Sequence, residues 1–185
     1  TFNSNLFIQN AISISNVNLA SFKLDYVNPI SELAKFETGY KLGFRSNDAD
    51  YRVADNSQIT DTLLPNALQS NHFIYTEIIN AAYANYGRTI GTWGVQGGLR
   101  VEHANIITDQ VTANIKNTKP YLSFFPSLYF ARKLAADQEI QLNYSRRINR
   151  PQVNNLNPFT DFSDPRNLRT GNPNLKPEYV DAYEL

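Results

Sequence analysis

Cysteine and long apolar runs are both missing from the sequence. Without cysteine, disulfides, thiolate metal ligands and a cysteine nucleophile are excluded. No apolar run approaches the roughly 18 residues that a membrane-spanning helix needs, and the amino end carries no signal peptide. Because a secreted chain needs such a signal, we expect these 185 residues to be an internal part of a longer precursor.

Charge is also scarce. Charged residues make up 18% of the chain, below the roughly 25% that is usual for soluble domains. Lys and Arg balance Asp and Glu at 17 each, so the net charge gives no reason to expect a nucleic-acid partner. What is abundant is aromatic: eleven Tyr, eleven Phe and one Trp. Aromatic residues at this density are typical of strands that end at a membrane interface.

The segment Ala34–Arg45 alternates strictly between two kinds of residue. Its even positions are mostly apolar, from Ala34 to Phe44, and its odd positions are charged or glycine. Period-two alternation predicts a strand with one apolar face. Soluble strands usually run about 5 to 6 residues, whereas a tilted membrane strand needs about 9 to 11. The length of this segment therefore favours a strand that crosses a bilayer.

The same pattern repeats along the chain. Strands are predicted at Asn18–Asn28, Thr92–Ala104 and Gln138–Ile148, less cleanly at Phe73–Tyr86 and Tyr121–Lys133, and from Pro177 to Leu185. Leu6–Ile14 keeps the parity of Asn18–Asn28, so it either extends that strand or forms a short one.

The predicted connections alternate in length. Short turns are predicted at Pro29–Leu33, Gly87–Gly91 and Leu134–Asp137, and long loops at Ser46–His72, Asn105–Pro120 and Asn149–Lys176. Short periplasmic turns that alternate with long extracellular loops are typical of up-and-down membrane barrels. The fold class we predict is all-β, an antiparallel up-and-down transmembrane β-barrel segment of about seven strands. Tyr26, Tyr86, Trp93 and Tyr144 are the predicted interface aromatics.

The carboxyl part contains motifs that resemble a known family. It reads Tyr144-Ser-Arg-Arg-Ile-Asn-Arg-Pro151, then Leu156-Asn-Pro-Phe159, then Gly171-Asn-Pro-Asn-Leu-Lys-Pro-Glu178. Together with Leu24-Asp-Tyr-Val-Asn-Pro29, Gly97-Gly-Leu-Arg-Val-Glu102 and Phe125-Pro-Ser127, these resemble the late barrel of TonB-dependent receptors, especially the outer-membrane β-barrel family of Bacteroidota.

The resemblance implies a location, a domain organisation and partners. Residues 1–185 would be a partial barrel domain in the bacterial outer membrane, about a third of a barrel of roughly 22 strands, without plug domain or TonB-contacting segment. Its partners would be outer-membrane lipid and lipopolysaccharide, and in the full-length protein the plug and TonB. The implied function is import of a scarce ligand, such as a metal chelate or glycan. A barrel for adhesion, secretion or partner docking is the alternative, and a soluble β-sandwich is disfavoured by strand length.

A basic cluster near the carboxyl end is the candidate binding site. It comprises Arg146, Arg147, Arg150, Arg166, Arg169 and Lys176. Guanidinium groups bind phosphate or carboxylate in bidentate fashion. Parity places Arg146 on the outward face, where lipid-A phosphates lie, and Arg147 on the lumen face, towards an anionic ligand or plug carboxylate. The alternative is that these arginines pair with Asp161, Asp164 and Glu178 and stiffen a loop that is rich in proline: Pro151, Pro158, Pro165, Pro173 and Pro177.

The sequence contains no motif typical of a catalytic or metal-binding site. His72 and His103 have no metal-ligand spacing around them, and the acidic stretch with Asp48, Asp50, Asp55 and Asp61 lacks the glycine and glutamate of a calcium loop. No nucleophile–base pair, paired acid site or phosphate-binding loop is present. The sequence therefore predicts a protein that is not an enzyme and has no cofactor.

Overall fold

The computed structural model describes residues 8–56, 62–135, 138–162, 164 and 166–185. In chain order the elements are β1 (Gln9–Ser31), β2 (Ala34–Asn56), β3 (Leu63–Pro65), β4 (Asn71–Ile90), β5 (Trp93–Gln110), β6 (Ile115–Ala135), β7 (Gln138–Asn149), α1 (Val153–Leu156), β8 (Thr160–Asp161), β9 (Arg169–Thr170) and β10 (Glu178–Glu184). Among these residues no helix has the length and apolarity needed to cross a bilayer.

One antiparallel sheet contains nearly all of the strands. Its order is β1-β2-β4-β5-β6-β7-β10, with β3 paired to the end of β2, while β8 and β9 pair only with each other. Each long strand therefore lies beside its neighbour in the sequence. This is the predicted up-and-down meander, and the sheet is open, with β1 and β10 at its two ends.

The register sorts side chains onto two faces. Leu24 lies opposite Tyr40, Tyr40 opposite Ala82, Ala82 opposite Val101, and Val101 opposite Phe124. Directly opposed residues of an antiparallel ladder point to the same side of the sheet. We call the side that carries this row the outward face and the opposite side the inner face. The predicted sorting of residues between two faces is confirmed, and contact of the outward face with lipid stays a prediction.

The strands are much longer than predicted. β1 and β2 each have 23 residues, and their ladder runs from Pro29 opposite Lys35 to Gln9 opposite Asp55. Leu6–Ile14 therefore belongs to β1 from Gln9 onward, not to a separate strand. Above the apolar band the facing residues are largely Ser, Asn and Asp, and a ladder exposed to water needs no apolar face. The alternating apolar pattern therefore ends before the strand does, although the backbone hydrogen bonds continue.

Two of the predicted long loops are correspondingly wrong. β5 and β6 continue to a four-residue turn, Val111–Asn114, and most of Asn105–Pro120 is strand. Most of Ser46–His72 is likewise strand in its described part. The short turns are confirmed and tighter than predicted, at Glu32–Leu33 and Gly91–Thr92. Gly91 has a φ of 61°, which glycine adopts without steric cost. The third turn includes Ala136 and Asp137, which lie outside the described residues.

The chain between β7 and β10 does not project away from the sheet. We call residues 150–177 the inner segment, because Val153 and Leu156 of α1 pack on the inner face against Phe73, Tyr75 and Ile106. All five side chains are buried, and Tyr121 packs beside them. In its described part, the predicted loop Asn149–Lys176 is thus a folded layer over one end of the sheet. This is the end away from the two-residue turns, which we call the outer end.

Candidate binding site on the inner face

Arg150 fixes the start of the inner segment to three strands. It donates from Nη2 to Glu102 Oε2 on β5 at 2.5 Å and from Nε to the Tyr121 hydroxyl on β6 at 2.8 Å. Glu77 Oε1 on β4 lies 3.6 Å from Arg150 Nε, in ion-pair range. Arg150 follows the last residue of β7, so a single side chain joins the end of that strand to the inner face.

The ion network around Arg150 contains equal numbers of positive and negative side chains and is largely shielded from solvent. Arg100 Nε donates to Glu102 Oε1 at 2.7 Å, so two arginines face Glu77 and Glu102. The side chain of Glu102 is 9% exposed and that of Arg150 is 21% exposed. Removing one partner from a buried ion pair leaves the other charge uncompensated, which costs far more than loss of a surface pair. The network therefore stabilises one position of the inner segment.

The Gly171-Asn172-Pro173-Asn174 turn closes the inner segment on itself. Gly171 N donates to Asn157 O at 2.9 Å and Asn172 N to Asn155 O at 2.7 Å. A Cβ at Gly171 would overlap the carbonyl oxygens of Asn154, Asn155 and Asn157, so only glycine fits there without displacing backbone. Lys119 Nζ donates to Pro173 O, which ties the turn to β6.

A polar cleft of about 750 Å³ lies between the inner segment and the outer end of the sheet. Its strand side is one cross-strand row, with Ser13 opposite Tyr51 and Tyr51 opposite Asn71. Its other side is the inner segment. The residues that line the cleft are Ser13, Tyr51, Asn71, Gln152, Asn154, Asn155, Asn157, Phe159, Asp161, Arg169, Thr170, Gly171, Asn172 and Leu175.

A second cavity of about 350 Å³ is apolar and lies between the inner segment and strands β5 and β6. Four prolines contribute to its lining, Pro120, Pro151, Pro173 and Pro177, together with Leu156 and Leu175. Three of the prolines that the sequence analysis singled out thus pack against the sheet, and Pro165 lies outside the described residues. Proline fixes backbone φ, so this packing limits the conformations of the segment.

The members of the predicted arginine cluster lie at different places in the structure. Arg150 is in the ion network and Arg169 lines the polar cleft. Arg146 binds Asp181 of β10 through both carboxylate oxygens, at 2.8 and 2.9 Å, and Tyr144 donates to the same carboxylate. Arg147, Arg166 and Lys176 form no ion pair within the described part of the chain. Their roles toward a ligand or lipopolysaccharide remain predictions.

The ion-pair partners differ from those considered in the sequence analysis. Asp181 pairs with Arg146, and Glu102 and Glu77 pair with Arg150, in place of Asp161, Asp164 or Glu178. Asp164 instead accepts from the backbone of Arg166. The alternation of the sequence gave a partial indication of the partners Glu102 and Tyr121, because it places both on the inner face. Their distance from Arg150 in the sequence, 48 and 29 residues, hid the contact.

The predicted interface aromatics all lie on the outward face. Tyr86, Gly97, Leu128 and Tyr144 form one cross-strand row. Trp93 follows the Gly91–Thr92 turn, and the Arg132 guanidinium lies 4.8 Å from its ring centroid. Tyr26 lies opposite Thr38 on the same face. Their contact with the lipid headgroups stays a prediction.

The acidic stretch on β2 has protein partners. Asp48 lies 2.8 Å from His72 Nε2, Arg52 donates to Asp50, and Asp55 accepts from the Gln9 and Asn66 side chains. These groups lie beyond the apolar band, and the hydrogen bond from Arg52 holds the pKa of Asp50 below its usual range. Asp61 lies outside the described residues. His103 sits on the outward face, opposite Asn80 and Leu122.

Comparison with known proteins agrees with this geometry. The profile of the outer membrane protein β-barrel family matches residues 1–185. No curated protein matches the sequence. Among solved structures, the unliganded ferric citrate transporter FecA is similar in fold, with a TM-score of 0.57 at 15% sequence identity. The likeness covers 76% of this chain and 22% of the transporter, so the chain spans about a fifth of that structure.

Proposed function

Because this chain belongs to the outer membrane protein β-barrel family and lies in the bacterial outer membrane, we propose that it forms part of the wall of a TonB-dependent receptor. The receptor imports a scarce ligand, and this part of the wall carries a fixed segment on its lumen side. It has no enzymatic role. The remaining strands, the plug and the TonB-contacting segment belong to the full-length protein.

One observation carries the proposal: the inner segment covers the inner face, where Arg150 ties it to β4, β5 and β6. The interior of some outer-membrane barrels is filled by loops or a helix. In a receptor that imports a ligand, the lining of the lumen would contact both the ligand and the plug. A folded layer fixed by a sheltered ion network supplies such a lining. The fold likeness to a ferric citrate transporter supports the same class of protein.

Binding to TonB tests the proposal without knowledge of the ligand. We expect the detergent-solubilised full-length protein to bind the periplasmic domain of TonB in calorimetry. Deletion of the segment upstream of the plug should abolish that binding and leave the barrel folded. A full-length protein without plug or TonB binding would contradict transport and favour adhesion, secretion or partner docking.

A further inference from the structure

The polar cleft between the inner segment and the outer end of the sheet contains several polar side chains that form no hydrogen bond to another described residue. Within the described part of the chain, the side chains of Ser13, Tyr51, Gln152, Asn154 and Asn155 line the cleft and form no hydrogen bond to protein. Two other amides of the cleft, Asn157 and Asn172, are engaged within the segment, each accepting from the backbone N–H two residues on. The unengaged groups are therefore available to a bound molecule.

The cleft carries no net charge. Its two charged residues, Asp161 and Arg169, are directly opposite each other in the β8–β9 ladder. An anionic ligand such as a phosphate ester or an iron chelate is normally held by several converging cations. An apolar ligand would leave the amides unpaired, at a cost for each buried polar group. Both classes of ligand are disfavoured by this lining.

Amides match a ligand that both donates and accepts. Each Asn or Gln side chain offers two donors on nitrogen and an acceptor oxygen, and Tyr51 and Ser13 add hydroxyls that do both. A ring bearing neighbouring hydroxyls presents the same mixture in return. Tyr51 and Phe159 also line the cleft, and an aromatic ring packs on the apolar C–H face of such a ring at low entropic cost.

The size of the cleft is that of a ligand site. About 750 Å³ falls within the roughly 300 to 1,000 Å³ typical of small-molecule pockets. Each side of the site is held by hydrogen bonds within that side. Gly171 and Asn172 are bound to the backbone at Asn157 and Asn155, and Asn71 on the strand side accepts from Gln110 at 2.6 Å.

We infer that the polar cleft binds a neutral polyhydroxylated ligand, an uncharged oligosaccharide, through the amides of the inner segment and the Ser13–Tyr51 row. The inference rests on the proposed function and names the class of ligand that the receptor takes up. Asn154 and Asn155 hydrogen-bond to ring hydroxyls, and Tyr51 and Phe159 pack on the sugar faces. Arg169 lies opposite Asp161 in the β8–β9 ladder, so a single cation beside an anion gives the cleft no preference for anionic ligands.

The test measures binding to the full-length receptor in detergent. Probes are neutral hexasaccharides of glucose (α- and β-linked), mannose and xylose, with a sulfated hexasaccharide as the charged comparison. At least one neutral hexasaccharide should bind, and more tightly than the sulfated one. The double variant Asn154→Ala/Asn155→Ala should weaken its binding at least tenfold. The matched control is Asn167→Ala, in the same segment but outside the cleft, and it should bind as the unmodified protein does.

Three results would overturn the inference. They are no binding by any neutral hexasaccharide, tighter binding of the sulfated one, or equal affinity in the double variant and the Asn167 variant. Both Asn154 and Asn155 are exposed, and heat-modified migration in gels verifies that each variant is folded. TonB binding is measured separately. Loss of TonB binding with oligosaccharide binding intact refutes only the transport function, and the reverse refutes only the ligand class.

Discussion

Arg150 is the residue on which the position of the inner segment depends most. It contacts Glu102, Tyr121 and Glu77 on three different strands. Arg150→Met keeps much of the side-chain length and removes the charge, which leaves Glu77 without its ion-pair partner. Because part of Arg150 is exposed, we expect a loss of roughly 2–3 kcal/mol in the free energy of unfolding, below the 3–5 kcal/mol seen for fully buried pairs. Denaturant titration of the full-length protein in micelles measures it.

The matched control for Arg150 is Arg166→Met. Arg166 is exposed and forms no ion pair in the described residues, so its replacement should change stability by less than about 0.5 kcal/mol. Arg150→Lys should recover part of the loss, because it restores the charge but cannot donate to Glu102 and Tyr121 from one planar group. If Arg150→Met and Arg166→Met were equally mild, the network would have no part in holding the segment.

Arginine substitutions should have different effects on stability on the two faces of the sheet. Leu42→Arg and Leu142→Arg place a charge on the outward face and should destabilise the barrel by roughly 2–4 kcal/mol if the site is near the bilayer midplane. Lys41→Arg and Gln141→Arg are adjacent in sequence on the inner face and should cost little. Unfolding of the full-length protein in lipid vesicles gives the values. Similar costs on both faces would contradict the lipid contact of the outward face.

For single residues, the sequence predicted the sheet face of a side chain better than its contact partners. Alternation is a local pattern, so about a dozen residues around Leu42 and around Leu142 were enough to place both side chains on the outward face. The Arg150–Glu102 contact depends on how the chain returns over the sheet, which no local pattern encodes. The cleft was missed for the same reason. Its amides come from β4 and from the inner segment, about 80 residues apart in the sequence.

Among the elements, the inner segment has a predicted location that labelling can verify. Thr170 is exposed at the outer end, so a cysteine there should react with a membrane-impermeant thiol reagent on intact cells. The control is Leu33→Cys in the two-residue turn at the opposite end, which should react only after the outer membrane is opened. The absence of native cysteine makes both signals clean. Labelling of Leu33→Cys alone on intact cells would reverse the orientation.

The strand elements show where hydropathy stops being informative. The start of β2 at Ala34 was predicted to the residue, because a tight turn and the apolar band coincide there. The start of β7 at Gln138 also agrees with the prediction. The outer ends of β1, β2, β5 and β6 were missed. Above the membrane both faces of a strand can contact water, so no apolar alternation marks the strand in the sequence. The short turns were predicted well because glycine and small loops have a local signature.

For the molecule as a whole, the open sheet determines how the chain behaves alone. β1 pairs only with β2 in the described long-strand sheet, and β10 only with β7. Unpaired backbone groups in hydrocarbon cost several kcal/mol each. In water, the outward face exposes a large apolar patch that includes Phe22, Leu24, Trp93 and Leu142, larger than soluble monomers carry. The 185 residues therefore need further strands, a second copy or detergent.

We expect the 185-residue chain expressed alone to be insoluble or to form detergent-dependent oligomers. Light scattering gives the size of the species, and thermal unfolding followed by circular dichroism reports cooperativity. The full-length protein in the same detergent is the control and should be a folded monomer with a cooperative transition. A detergent-free monomer of the 185 residues with a sharp melt would contradict the membrane assignment and favour a soluble sheet.

The long ladders above the apolar band also determine what a protease meets at the cell surface. A 23-residue strand tilted by about 40° rises roughly 58 Å, about twice the apolar band of roughly 25 Å. Proteases cut exposed loop tips in preference to hydrogen-bonded strands. The β5–β6 hairpin ends in a four-residue turn, and the inner segment is fixed against the wall. In this part of the wall the β5–β6 hairpin and the described part of the inner segment thus offer few exposed loop tips. They should survive a digestion that removes the loops of loop-rich neighbours from the same membrane.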